Sequence, residues 1–144
     1  MQLSDALQIE RYKFVTDRQK HFTALARDTF ASYGRLFSAL AAGAIALVSA
    51  GEKLEVPADL LRGLVKALAW LATILAMFAS AQIAFCLARW WGYRKAERKI
   101  HPDSPEEKWW WWVFEALYVV TIWATVIGAW RIAGQLLFLV QRKN

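Results

Sequence analysis

Residues 64–88 read LVKALAWLATILAMFASAQIAFCLA, with one charge, Lys66, at the edge. A helix that crosses a bilayer needs roughly 20 predominantly apolar residues, and this run supplies them. Residues 113–140, VFEALYVVTIWATVIGAWRIAGQLLFLV, read the same way with two charges, Glu115 and Arg131. Residues 36–50, LFSALAAGAIALVSA, carry none and reach spanning length by including Tyr33, Gly34 and Arg35. The expected fold is an all-α membrane protein. Three transmembrane helices, at about residues 33–50, 64–88 and 113–138, make a membrane domain over residues 36–140. A long amphipathic N-terminal cytoplasmic helix precedes them as an arm over residues 1–35.

Composition fits charge segregated into loops and ends. Of the 144 residues 58% are hydrophobic, yet there are 18 Lys+Arg and 12 Asp+Glu. Residues 1–30 mix both signs, unlike a secretory signal with its basic start and compact apolar stretch. The first spanning helix is therefore expected to be an uncleaved anchor. The single cysteine, Cys86, lies inside the second apolar run and reads as a small packing residue. The net charge of +6 would suggest nucleic acid for a soluble chain. The positive-inside effect accounts for it here, and nucleic acid is not an expected partner.

Basic residues favour the cytoplasmic side. The arm holds Arg11, Lys13, Arg18, Lys20, Arg27 and Arg35. The link over residues 89–108 holds Arg89, Arg94, Lys95, Arg98, Lys99 and Lys108. The link near residues 51–63 has only Lys53 and Arg62 against Glu52, Glu55 and Asp59. The expected layout is multi-pass in the cell inner (plasma) membrane. The N-terminus and a basic inner loop at 89–108 are cytoplasmic; a short acidic loop and the C-terminus are outside. Trp90, Trp91, Trp109, Trp110, Trp111 and Trp112 flank the inner loop, where indole rings settle at the headgroup level.

Helix ends follow local chemistry. Ser104-Pro105-Glu106-Glu107 reads as a capping box with Pro in the first turn, starting the third helix near Pro105. Val56-Pro57 starts the second, with Gly92 as its weak point, and Ser4 is a candidate cap for the first. Leu3, Leu7, Phe14, Phe22, Leu25, Thr29 and Tyr33 fall near one face of the arm, interrupted by Arg11 and Arg18. Two placements are open: an interfacial helix on the inner leaflet, or a continuation of the first span that packs against copies of itself.

Small residues recur every fourth position. The first segment has Gly34, Ser38, Ala42, Ala46 and Ala50; the second Ala72, Ala76, Ser80, Ala84 and Ala88; the third Thr121, Thr125, Ala129 and Ala133. Such rows let helix backbones approach closely in lipid. Gly34, Ser38, Ala42, Ala46, Ala76, Ser80 and Ala84 are the expected packing positions, and homo-oligomerisation is expected because three helices cannot use every row.

In the third segment Thr121, Ala124, Gly128, Arg131 and Gln135 share a polar row. An intramembrane charge is a functional hypothesis by default. In an oligomer this row would line an aqueous path, with Arg131 setting anion preference. The alternative depends on register: Arg131 lies roughly 30 Å beyond the tryptophan cluster by helix rise and would snorkel outward. Gln82 reads as an interhelical hydrogen-bonding residue.

The sequence carries no enzyme constellation. His21 and His101 lack metal-ligand spacing, and there is no phosphate loop, dinucleotide fingerprint or serine elbow. No catalytic residue, cofactor or metal is expected.

The expected function is a small integral inner-membrane protein that self-associates, as a pore or a membrane-perturbing effector. One alternative is a non-catalytic anchoring or assembly subunit holding a cytoplasmic partner through residues 1–35. Another is a holin-like lysis protein. The layout, an arm from Ser4 to Arg35 followed by the apolar hairpin of residues 36–88, resembles the small helical membrane effectors of bacterial antiviral systems, such as the SLATT-type proteins. That resemblance implies a cytoplasmic helix ahead of the spans and assembly into pores. The third span departs from the pattern, and no functional residue is carried over.

Overall fold

The computed structural model describes residues 2–53, 56–100 and 110–142. They form three helices: α1 (Gln2–Lys53), α2 (Ala58–Ile100) and α3 (Trp110–Arg142). Each is long and apolar enough to cross a membrane, the build of a multi-pass membrane protein. Pro57 lies between α1 and α2, where a missing N–H and a fixed φ do no harm. Pro57 directly precedes α2, as the sequence suggests, and its carbonyl accepts from the Leu61 N–H at 3.1 Å. Ser4 lies inside α1, which begins at Gln2. The expected start of the third helix at Ser104-Pro105 falls outside the described residues.

α1 is unbroken for 52 residues, about 78 Å by helix rise. The helix is not interrupted between residues 2–35 and the apolar stretch after them. α2 also runs further than the sequence suggested. The expected inner loop from residue 89 is helix through Ile100, passing Gly92 without a break. The charges after Ala88 mark the end of the apolar stretch, not the end of the helix. A single glycine costs a helix only about 1 kcal/mol relative to alanine.

α1 and α2 form a long antiparallel hairpin with a heptad seam. On α2, the buried residues Val65, Ala69, Ala72, Ala76, Ala79, Ile83 and Cys86 alternate steps of four and three. Half-buried Trp90 and Tyr93, then buried Glu97, continue the pattern. On α1 the seam passes through Val15, Gln19, Phe22, Ala26, Tyr33, Phe37 and Leu40 to Gly51. A 3.5-residue repeat keeps the same face inward along the whole length. Gly51 permits the close approach at the top, because a Cβ there would stand 3.2 Å from Leu61 Cδ1. α3 packs chiefly on α2 and touches α1 around Tyr33.

The core is centred on Tyr33, Ala76, Ala79, Ile83, Ile122 and Val126, with Phe30, Phe37 and Tyr118 packed around it. Phe30 stacks on Tyr118 at 4.6 Å between centroids. Tyr33 is only 5% exposed. The Tyr33 and Thr125 hydroxyls are hydrogen-bonded at 2.7 Å, and both reach the Ile122 carbonyl, at 3.3 and 2.7 Å.

Candidate functional site

The seam fixes the relative heights of the helices. Gly51 meets Leu61, Tyr33 sits among Ala76, Ala79 and Ile83, and Gln19 reaches Glu97. Ala76 is the midpoint of the 64–88 stretch. Arg35, two residues beyond Tyr33, therefore stands within about 3 Å of that midpoint along the bundle axis. The apolar stretch of α1, residues 36–50, lies beside only one half of the apolar stretch of α2. Beside the other half, α1 presents Arg27, Asp28, Ser32 and Arg35, all exposed.

Asp28, Thr29 and Ser32 share a groove of about 330 Å³ with Gln82 of α2, and the rest of its lining is Leu25, Tyr33, Leu36, Leu75, Phe78 and Ala79. Arg35 lies one turn from Ser32. Further along the same side of α1, Ser38, Ala42, Ala46 and Ser49 are exposed. Gly34 and Gly43 have nothing within 4 Å of the point a Cβ would occupy. The outer surfaces of α2 and α3 differ in kind: at the same heights they expose Ile74, Met77, Phe78, Phe85, Leu117 and Val120.

The small-residue rows divide. On α2, Ala72 and Ala76 are buried, Ser80 is half-buried, and Ala84 and Ala88 are exposed. On α1, Gly34, Ser38, Ala42 and Ala46 all face away from the other two helices. The reason is geometric. A step of four residues advances about 400° around a helix, so a strict fourth-position row drifts off a straight contact face within two or three steps. Within one chain the contact is carried by the heptad seam instead.

The polar row of α3 is also split. Gly128 lines an apolar groove of about 340 Å³ with Ala44, Ala72, Ala129 and Ala133. Thr121, Arg131 and Gln135 are exposed on the outer side. Arg131 shares that side with Val120, Ile127 and Phe138, exposed by 63%, 56% and 63%, so its setting is apolar. Near its height the Trp130 indole N–H donates to Thr73 Oγ1 at 3.0 Å, and its ring meets Trp70 edge-on at 5.5 Å.

Of the tryptophan belt, Trp90 is half-buried and Trp91 exposed, with centroids 6.2 Å apart. Trp110, Trp111 and Trp112 form the first turn of α3. Trp109 lies outside the described residues.

Sequence reasoning missed a polar lock beyond the apolar stretch. Glu97 is 5% exposed and accepts from Gln19 Nε2 at 2.7 Å and from Arg94 Nη1 at 2.6 Å. Tyr93 stacks on Phe22 at 5.8 Å beside it. The available signal was the Arg94/Glu97 spacing of three within a run without proline. Among the described residues no His, Cys, Asp or Glu group is arranged to hold a metal ion.

No family model matches the chain, and searches of curated proteins and of solved structures find no match.

Proposed function

We propose that this chain is a multi-pass inner-membrane protein that self-associates and changes membrane permeability, as a pore or a membrane-perturbing effector. Its N-terminus is cytoplasmic and its C-terminus outside, by the distribution of basic residues. The observation that carries self-association is the free side of α1. Gly34, Ser38, Ala42 and Ala46 form an exposed small-residue row that the other two helices do not use. Lipid gives helices no hydrophobic reason to associate, and close backbone approach takes that role.

The test is the mass of the full chain, expressed alone and purified into nanodiscs, followed by dye leakage from proteoliposomes. A discrete homo-oligomer of four or more copies that releases dye supports the reading. A silent monomer sinks it.

One observation favours a second reading, an anchoring or assembly subunit. Leu7, Ile9 and Phe14 are exposed by 50%, 56% and 53% at the far end of α1. Apolar residues at the free end of a cytoplasmic arm suit a protein partner. Under that reading the purified chain stays monomeric, and a pull-down through the arm recovers a partner.

A further inference from the structure

The height of Arg35 sets a problem that one chain cannot solve. The bilayer must cover the 64–88 stretch of α2 and the matching part of α3, because Phe85, Phe114, Leu117 and Val120 are exposed there by 53%, 57%, 51% and 63%. Sliding the membrane toward the Gly51 end would leave these side chains in water and draw Asp59 and Arg62 into hydrocarbon. With the bilayer so placed, Asp28 and Arg35 of α1 lie within it. Among the described residues neither has an ion-pair partner within the chain. Arg35 cannot escape by snorkelling. It stands near the height of Ala76, about 18 Å by helix rise from the Ala88 end of the stretch, and an arginine side chain spans much less. Asp28 has a short side chain and no such option.

Ionised side chains at this depth face a water-filled cavity or the interior of a bundle. We propose that the groove of Asp28, Ser32 and Gln82, continued by Arg35, faces water inside a ring of copies of this chain and lines its ion path. The proposal rests on the self-association argued above and assigns the lining to α1 instead of to the α3 row.

Copies of the same chain are the fitting enclosure. The outer faces of α2 and α3 are mostly large apolar side chains suited to lipid, and Arg131, beside Trp130 at the height of Trp70, stands about 9 Å by helix rise from the Leu64 end and snorkels there, so the α1 side is the one that requires cover. Rotational symmetry turns the groove of every copy toward a common centre, with the adjoining small-residue row at the flank where copies meet. It would stack a ring of Arg35 guanidinium groups about 10 Å above a ring of Asp28 carboxylates. Charged rings of this kind set ion selectivity.

The experiment uses the full chain in proteoliposomes, with Cys86→Ala as the background, and a charged, membrane-impermeant methanethiosulfonate as the probe. Ser32→Cys and Gln82→Cys should react more than about tenfold faster than the lipid-facing controls Phe85→Cys and Ile127→Cys. Where the protein conducts, Arg35→Gln should shift the anion-to-cation permeability ratio toward cations by about threefold or more, and Asp28→Asn in the opposite sense. Equal reactivity at all four positions, in a sample whose mass is oligomeric, overturns the lining while leaving self-association intact. A monomeric mass overturns both. Labelling does not depend on either charge variant folding.

Discussion

Tyr33 and Thr125 are joined by a 2.7 Å hydrogen bond between hydroxyls at the centre of the core. It pins α1 to α3, beside the Phe30–Tyr118 stack. Tyr33→Phe should retain the fold and cost about 1 kcal/mol. Tyr33→Ala also empties the centre of the cluster and should cost about 3–5 kcal/mol. Denaturant titration in detergent micelles, read by circular dichroism, checks both. Equal costs for the two variants would mean that the ring contributes nothing beyond its hydroxyl.

Glu97, Arg94 and Gln19 lock the register of α1 against α2 beyond the apolar stretch. Arg94→Ala leaves a buried carboxylate with Gln19 as its remaining partner. It should cost about 3 kcal/mol, the low end for breaking a buried pair, since the arginine side chain keeps 13% exposure. Glu97→Leu with Gln19→Leu should be close to neutral in stability but allow the register to slip. Disulfide trapping between cysteines placed at Val15 and nearby positions of α2 reads the slip. A single trapped pairing in the double variant would show that the apolar seam alone sets the register.

Cys86 is 2% exposed. A neutral maleimide should leave it largely unmodified in the folded protein and label it fully after denaturation. Mass spectrometry counts the label. Rapid stoichiometric labelling under native conditions would mean that the α1–α2 seam opens there.

Arg131 sits among Val120, Ile127 and Phe138 on the outward side of α3. Arg131→Leu should leave oligomer mass and ion selectivity unchanged and increase the yield of inserted protein. Arg35→Gln should alter selectivity. The reverse pattern would return the ion path to the α3 row.

The apolar stretches were legible in the sequence because length and composition suffice to recognise a helix able to span a bilayer. Helix packing was less so. The every-fourth-residue rows drew attention to Gly34 and Ser38, whereas the actual seam includes Gln19, Ala26 and Glu97, which break any simple apolar stripe. The seam on α2 is largely alanine, a residue too common in apolar helices to stand out. The continuation of α2 past Ala88 was hidden by its charges. The height of Arg35 beside Ala76 could not be read from either segment alone, because it depends on how two helices pair. In sequence Arg35 therefore reads both as the edge of the first span and as one of the arm's basic residues, with its depth unseen.

The unbroken course of α1 from Gln2 to Lys53 has a mechanical consequence. With no hinge between its two ends, the helix is a lever. A protein that grips Leu7 and Phe14 applies torque directly to Arg35, some 30–40 Å away by helix rise. Because the seam and the Gln19–Glu97 bond tie α1 to α2 along the way, such a load moves the two helices as one shaft.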